Sequence, residues 1–256
     1  MLLLIGLGLD AKDISVRALE ALKSADLVLM EDYTTFLPGQ YVDYLKAEVK
    51  AGITAIQRAD LEDRAKETVA KAKDKTLAIL IPGDPLIATT HHILLDEAKR
   101  QGIEYTVYHA PSIFSAAIGQ SGLDVYRFGP PFTVPFWSSN YKPTSFIDSL
   151  RKNLDDDQHS LILLDLEAKS RNFMTLAQAV QLLRDADWEK RLDIFTDDLY
   201  ILVMGDVGKS TEAIAYLAVK DIGRVEERFG GKPLVIIVPA SPTPAEMESL
   251  ARFAVR

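Results

Sequence analysis

An acidic residue on a glycine turn is the feature of this sequence that most directly indicates chemistry. Asp84 follows Pro82 and Gly83, which abruptly end the apolar run 76–81. Pro82 fixes φ and Gly83 permits backbone angles closed to other residues, so the turn leaves a carboxylate on the loop. In open α/β sheets, ligands commonly bind at the carboxyl ends of strands. An ordinary turn in which Asp84 binds its own loop amides fits the same residues.

A glycine-rich loop after the first apolar run raises a second hypothesis. Residues 6–11 read Gly-Leu-Gly-Leu-Asp-Ala and fit the loose dinucleotide pattern G-x-G-x-x-A. Glu31 and Asp32 lie about 20 residues further on, where a ribose-binding acid belongs, so a nicotinamide or flavin oxidoreductase is one candidate. In that fingerprint the glycines open the helix directly. Here residues 10–13 intervene, and Asp13 is the best N-cap for the next helix.

Other catalytic classes are disfavoured by residue type and spacing. The segment 205–211 resembles the end of a phosphate-binding P-loop, but Val203 stands where the motif requires glycine. The four histidines show no metal-ligand spacing, so we expect no metal. Ser112 lacks the context of a hydrolase nucleophile. The chain has no cysteine, which excludes disulfides, thiolate zinc sites and cysteine nucleophiles.

Composition places the chain among ordinary soluble proteins. It has 256 residues, 48% of them hydrophobic and 26% charged, enough for one large domain or two modest ones. The net charge of −8 argues against nucleic-acid partners and anionic membranes. Because Met1 leads straight into an apolar run with no basic segment, we expect a cytoplasmic protein.

The elements that must position these residues alternate between strand and helix patterns. In the first half this alternation predicts a mostly parallel sheet. The prolines at 130, 131 and 135 predict a linker near 129–135. The chain is therefore expected to form an N-terminal α/β domain over 1–130 and a C-terminal α/β domain over 136–256. In the second domain, Glu212–Val219 is interpreted as a helix.

Three strings in this order resemble the diphthine synthase family of the tetrapyrrole-methylase-like (class III) methyltransferases. They are Gly6-Leu-Gly-Leu9, Pro82-Gly-Asp-Pro-Leu-Ile-Ala-Thr-Thr-His91 and His109-Ala-Pro-Ser-Ile113. Supporting matches run through nearly the whole chain: Glu31-Asp-Tyr-Thr34, Tyr126-Arg-Phe-Gly129, Pro143-Thr-Ser145, Leu164-Asp-Leu166 and Phe195-Thr-Asp-Asp198. The Gly-Asp-Pro turn alone marks the superfamily, and the residues that follow it make the narrower assignment specific.

The resemblance implies a fold, an activity and partners. The fold is α/β, with two domains of the tetrapyrrole methylase type and S-adenosylmethionine bound in the cleft between them. The substrate is translation elongation factor 2, whose modified histidine (amino-carboxypropyl histidine) is methylated on its amino group on the way to diphthamide. The resemblance also implies a homodimer.

The resemblance further implies a set of cofactor-binding residues. In the first domain these are Leu9, Asp84, Ile87, Ser112 and Ile113. In the second domain they lie at three strand ends, namely Leu166 with Ala168, Met204 with Gly205, and Leu234.

The implied chemistry needs no metal and no covalent nucleophile, because a sulfonium methyl is already activated. The protein must align amine, methyl carbon and sulfur, and exclude water. Asp84 is assigned to cofactor positioning. The proton acceptor stays open, with solvent or a carboxylate as candidates. Rival hypotheses are a corrin-precursor or ribosomal-RNA methyltransferase, the oxidoreductase, and a binding protein without turnover.

Overall fold

A computed structural model describes residues 1–10, 12–33, 39–167, 170 and 172–255. Ala11 and Thr34, which belong to the sequence motifs, and Ala168, a predicted cofactor contact, lie outside these residues. The chain divides into two compact units, one formed by residues 1–113 with 167–170 and the other by 114–166 with 171–256.

The first unit is built around a five-stranded sheet in which every pairing is parallel, with the order β3-β2-β4-β1-β5. Its strands are β1 (Leu2–Gly6), β2 (Leu27–Glu31), β3 (Ile53–Ile56), β4 (Leu77–Ile81) and β5 (Tyr105–Tyr108). Its helices are α1 (Val16–Lys23), α2 (Gly39–Glu48), α3 (Arg58–Leu61), α4 (Ala65–Ala70) and α5 (His92–Arg100).

Strands β1 and β4, which lie inside this sheet, are uninterrupted buried runs. Every residue of β1 and of β4 is buried, as expected for strands covered on both faces by helices. Alternate residues of β1 enter different cores, with Leu2 and Leu4 in one and Leu3 and Ile5 in the other. The α/β fold class and the parallel sheet predicted from the sequence are confirmed.

The second unit holds a mixed five-stranded sheet with the order β11-β10-β12-β7-β6. The strands of this sheet are β6 (Phe132–Val134), β7 (Ser160–Leu164), β10 (Tyr200–Gly205), β11 (Ala213–Ala218) and β12 (Leu234–Val238). A separate two-stranded sheet consists of β8 (Leu166–Glu167) and β9 (Asn172–Phe173). The helices of the second unit are α6 (Ile113–Ser121), which begins at the boundary between the units, α7 (Ser145–Asp155), α8 (Leu176–Lys190), α9 (Glu226–Phe229) and α10 (Pro244–Ala251).

Two sequence interpretations in the second half differ from the structure. Residues 212–219, predicted as a helix, contain strand β11, which pairs antiparallel with β10. All six residues of β11 are buried. The segment therefore shows no amphipathic pattern, and as a strand it packs apolar side chains on both faces of the sheet. Residues 129–135, predicted as a linker, contain β6, which pairs parallel with β7. The prolines at 130, 131 and 135 flank β6 and lie outside it, so they leave its pairing with β7 intact.

A buried carboxylate joins several segments of the second unit. Glu246 Oε1 accepts hydrogen bonds from the Asp124 backbone N–H and from His159 Nε2, both at 3.0 Å. Glu246 Oε2 accepts from Arg127 Nη1 at 2.7 Å and from the Thr243 backbone N–H at 2.8 Å. One side chain therefore holds the start of α10 against the segments that carry residues 124–127 and 159.

This network keeps Glu246 ionised. Burial favours the neutral carboxyl, but hydrogen bonds from the Asp124 and Thr243 amides and from His159 outweigh it and lower the pKa of Glu246 to about 2. His159 is itself fully buried, and its Nδ1 accepts from the Ala240 backbone N–H at 3.0 Å. His159 is therefore the neutral tautomer that carries its proton on Nε2 and donates it to Glu246.

Candidate functional site

The carboxyl ends of three parallel strands bring the sequence motifs of the first unit together. Gly6 at the end of β1 is in register with Ile81 of β4, and Ile5 with Tyr108 of β5. From β1 the chain crosses over to β2, beyond β4, whereas from β4 it crosses in the opposite direction to β5. The carboxyl ends of β1 and β4 therefore flank a topological switch point, where ligands bind in open α/β sheets.

Gly6 permits the loops after β4 and β5 to meet above β1. A Cβ added at Gly6 would lie 2.8 Å from the Gly83 carbonyl oxygen, 2.9 Å from Ala110 Cβ and 2.9 Å from Pro85 Cδ. Real Cβ atoms do not approach other atoms so closely. The missing side chain therefore lets loops from two strands that are not neighbours in the sheet come into contact.

The first two glycine loops are joined by their backbones. The Gly8 N–H donates to the Gly83 carbonyl at 3.2 Å, and the Gly83 N–H donates to the Gly8 carbonyl at 2.9 Å. Both residues have positive φ, +74° for Gly8 and +69° for Gly83, a region that glycine enters without strain. The turn that carries Asp84 is thus fixed to the loop that carries Leu9.

Asp84 connects the loop after β4 to the loop after β5 through hydrogen bonds. Its Oδ1 accepts from the Leu86 backbone N–H at 3.0 Å, as the ordinary-turn interpretation expects. Its Oδ2 lies 2.8 Å from His109 Nδ1 and accepts from the Ala110 backbone N–H at 3.3 Å. The carboxylate is buried, while 67% of the His109 side chain is exposed. Asp84 therefore holds the exposed imidazole of His109 at the carboxyl edge of the sheet.

A second acid–histidine pair contacts the turn that carries Asp84. His91 and Glu31 are both buried, with His91 Nε2 3.5 Å from Glu31 Oε2. His91 Nδ1 lies 3.1 Å from the Pro85 carbonyl oxygen, so it supports the residue that follows Asp84. Burial lowers the pKa of His91, which favours its neutral form.

The dinucleotide hypothesis does not fit the loop after β1. The backbone N–H groups of Leu9 and Asp10 both donate to Asp13 Oδ2 at 2.9 Å, so a carboxylate already holds the amides that a pyrophosphate would need. Helix α1 is capped by Ser15, whose side chain accepts from Ala18 N–H, and the predicted N-cap role of Asp13 is wrong. Of the two expected ribose ligands, Glu31 is fully buried, and Asp32 Oδ1 accepts from Gln57 Nε2 at 3.3 Å.

The P-loop-like segment connects two antiparallel strands. It leads from β10 into β11 and opens no helix. Asp206 Oδ1 accepts from Lys209 Nζ at 3.0 Å, and Asp206 Oδ2 accepts from Thr211 Oγ1 at 2.7 Å. The segment is a glycine loop held by its own carboxylate, as the sequence predicts.

Comparisons with known proteins agree with this geometry. The tetrapyrrole (corrin/porphyrin) methylase family model matches residues 1–215. The chain belongs to the tetrapyrrole methylase family. It is 36% identical to the diphthine synthase of Methanothermobacter thermautotrophicus and 38% identical to that of Methanosphaera stadtmanae, in each case over 99% of this chain and 96% of the relative. A crystal structure of diphthine synthase superposes with a TM-score of 0.87 at 32% identity, covering 99% of this chain and 95% of that one.

This tetrapyrrole methylase is thus a methyltransferase whose relatives include diphthine synthases, and the oxidoreductase and corrin-precursor hypotheses are not favoured. Its predicted contacts in the first unit all lie at the carboxyl edge of the parallel sheet or on the loops that leave it. Ser112 is buried directly before α6, Ile113 begins that helix, and Ile87 is 46% exposed on the loop after β4.

The residues of this edge leave room for a small-molecule ligand. A Cβ at Gly83 would meet nothing within 4 Å, so open space adjoins the Asp84 turn. Exposed Ile87 offers an apolar surface beside polar backbone, the combination that small-molecule sites use. Within the described residues, no three His, Asp or Glu side chains come together to hold a metal ion.

The predicted contacts in the second unit lie mostly at the ends of two paired strands. Gly205 of β10 is in register with Leu234 of β12, and Met204 precedes it. The side chains of Met204 and Leu234 are buried, so these residues can offer a ligand mainly backbone atoms. Leu166 begins β8 and is half-buried.

Among the described residues, none of the helices has the length and apolar character that a membrane span requires.

His109 is not among the site residues that the sequence predicts. In the sequence, His109 contributes only to the string His109-Ala-Pro-Ser-Ile113, which carries the family resemblance. The sequence does not show its contact with Asp84, because that contact depends on Asp84 and His109 each following a strand that pairs with β1 in the folded sheet. Gly6, which brings their loops together, enters the sequence interpretation as part of the dinucleotide pattern and of the family string Gly6-Leu-Gly-Leu9.

Proposed function

We propose that this tetrapyrrole methylase transfers methyl groups from S-adenosylmethionine to the amino group of the amino-carboxypropyl histidine of translation elongation factor 2. This is a step of diphthamide biosynthesis. The observation that carries the proposal is the joined set of Gly8, Gly83, Asp84 and His109 at the carboxyl edge of the parallel sheet, in a chain whose relatives are diphthine synthases.

The proposed cofactor contacts are those that the family resemblance indicates. In the first unit they are Leu9, Asp84, Ile87, Ser112 and Ile113. Five positions further along the chain complete the proposal, namely Leu166, Ala168, Met204, Gly205 and Leu234. When bound, S-adenosylmethionine supplies a methyl group on a positively charged sulfur, which an amine can attack directly.

The chain's own residues have to orient this reaction and exclude water from it. The contacts of the Asp84 carboxylate are made to donors of the protein itself. Asp84 therefore acts on the cofactor indirectly, by fixing the shape of the loops. The Gly8–Gly83 bridge holds those loops in register with each other. Such preorganisation contributes to rate by holding the reacting atoms in an attack geometry.

The substrate assignment is tested with elongation factor 2 in its modified and unmodified forms. We expect radioactive methyl from S-adenosylmethionine to enter the factor that carries amino-carboxypropyl histidine, and none to enter the unmodified factor, which lacks the amine. A free histidine derivative should react poorly, because contacts remote from the amine supply binding energy that aligns the reacting atoms. Equal labelling of both forms, or efficient labelling of a corrin precursor, would refute the assignment.

Replacing Asp84 by alanine should weaken cofactor binding while the unit remains folded. The change removes the acceptor for the Leu86 and Ala110 amides and for His109 Nδ1, so the turn loses its fixed shape. Loss of a charged hydrogen bond typically costs about 1.5–3 kcal/mol, which predicts about a 10- to 150-fold weaker affinity. Titration calorimetry with S-adenosylhomocysteine measures this, and an unchanged affinity would show that Asp84 is a turn residue only.

We also propose that the protein is a cytoplasmic homodimer with no nucleic-acid or membrane partner. The net charge of −8 disfavours polyanions, and a two-fold dimer is the commonest closed assembly. Light scattering at micromolar concentration tests the dimer, and a monomeric mass would contradict it.

A further inference from the structure

We propose that His109, oriented by Asp84, removes the proton from the substrate's ammonium group before methyl transfer. This inference rests on the proposed function and assigns the proton acceptor that the sequence leaves open. A histidine that acts as this base requires a defined tautomer, an accessible nitrogen and a position beside the reacting groups.

The hydrogen bonds of Asp84 define the tautomer of His109. Both backbone N–H groups that contact Asp84, from Leu86 and Ala110, are donors, so its oxygens are acceptors. Asp84 Oδ2 lies 2.8 Å from His109 Nδ1, which must therefore carry the hydrogen in that contact. In the neutral imidazole the second nitrogen, Nε2, then holds a lone pair. A carboxylate that holds a base in one tautomer is the arrangement used in acid–base triads.

The burial of the pair leaves Nε2 accessible. The Asp84 side chain is only 7% exposed, whereas the His109 side chain is 67% exposed. Two other histidines differ. His91 is buried against the Pro85 carbonyl and Glu31, and His159 has both ring nitrogens engaged by Ala240 and Glu246. Of these three, His109 alone combines a fixed ring with an accessible nitrogen.

The position of His109 suits a proton acceptor in methyl transfer. It follows β5 at the carboxyl edge of the sheet, three residues before Ser112 and four before Ile113, both proposed cofactor contacts. Its partner Asp84 is in the turn bridged to Gly8. An amine that approaches a methyl group held by these loops would come within reach of the imidazole.

The reaction balances with His109 as the acceptor. Aliphatic amines are mostly protonated at neutral pH, and an ammonium nitrogen has no lone pair with which to attack. His109 Nε2 takes one proton and becomes imidazolium beside the Asp84 carboxylate. The freed amine nitrogen forms a bond to the methyl carbon as the carbon–sulfur bond breaks, and that bonding pair stays on sulfur as the thioether of S-adenosylhomocysteine. The imidazolium returns its proton to solvent.

The test uses His109→Asn in the full-length protein. The asparagine amide can still donate to Asp84 from the position of Nδ1, so the loop contact is kept while the base is removed. We expect kcat for methylation of modified elongation factor 2 to fall about 10²- to 10⁴-fold. KM for both substrates should stay within a few-fold. His92→Asn is the matched control, since His92 is exposed at the start of α5, and its kcat should equal that of the unaltered enzyme.

Two further measurements do not depend on turnover by the loaded enzyme. Calorimetry with S-adenosylhomocysteine should give the same affinity for His109→Asn and the unaltered protein, because no proposed cofactor contact is removed. The ¹⁵N resonances of the free protein should show His109 protonated on Nδ1 and bare on Nε2 when neutral. The reverse tautomer would overturn the inference.

Kinetics also separate this inference from the proposed function. Added imidazole should restore part of the rate of His109→Ala, in which the ring is missing. If the unaltered enzyme methylates modified elongation factor 2 and His109→Asn does so at the same rate, the proton acceptor is wrong and the function stands. If the unaltered enzyme does not methylate that substrate, the proposed function fails and the inference falls with it.

Discussion

Glu246→Ala is expected to lower the free energy of unfolding by about 3–5 kcal/mol, the usual result of removing one partner from a buried ion pair. The change leaves Arg127 Nη1, His159 Nε2 and the Asp124 and Thr243 amides without their common acceptor. It also removes the carboxylate half of the capping box that begins α10. Urea denaturation followed by circular dichroism measures the loss.

The acid sensitivity of this network gives the same prediction a second readout. Because folding lowers the pKa of Glu246 from 4.5 to about 2, its ionised form stabilises the fold above pH 4.5, and this contribution of about 3 kcal/mol is lost as the pH falls toward 2. Glu246→Gln should abolish that part of the pH dependence. Glu248→Ala, an exposed change on the same helix, is the control and should stay within about 0.5 kcal/mol. A Glu246→Ala protein as stable as this control would contradict the role.

Much of the architecture of the first unit can be predicted from the sequence, because the local hydrophobic patterns there match the strands and helices of the structure. Strands β1 and β4 are short apolar runs ended by turn residues, as in Ile81-Pro-Gly, and each lies before a helical pattern. Strand β3, Ile-Thr-Ala-Ile, lacks this pattern and is not predicted from the sequence. The second unit was harder to predict. Strand β11 reads Ala-Ile-Ala-Tyr-Leu-Ala, a run in which helix and strand cannot be distinguished by periodicity, and its pairing with β10 decides the outcome.

Asp84 could be found from sequence because a carboxylate on a Pro-Gly turn needs only local information. Its partner could not, because His109 is 25 residues away and contacts it across β1. That contact depends on the missing side chain of Gly6, which local patterns explain equally well as a phosphate-binding glycine. The buried pair of His91 and Glu31 is likewise a tertiary contact, between the end of β2 and the start of α5.

Gly8→Ala is expected to disrupt both stability and cofactor binding. Gly8 has φ +74°, and a Cβ there would lie 2.2 Å from Asp13 Cβ and 3.1 Å from Asp13 Cγ. The left-handed backbone costs a non-glycine residue about 1–2 kcal/mol. Overpacking adds about 1–3 kcal/mol, so we expect a total loss of about 2–5 kcal/mol in the free energy of unfolding.

The functional consequence follows from what Asp13 and Gly8 hold in place. Displaced Asp13 would release the Leu9 and Asp10 amides, and a shifted Gly8 would break the backbone bridge to Gly83. We therefore expect S-adenosylhomocysteine binding to fall below detection in calorimetry, even at a temperature where circular dichroism shows the variant folded. Gly52→Ala is the control, because a Cβ there meets nothing within 4 Å and the backbone is not left-handed. If the two variants bound the ligand with equal affinity, the paired glycine loops would have no part in the site, and the position of the cofactor at this sheet edge would be wrong.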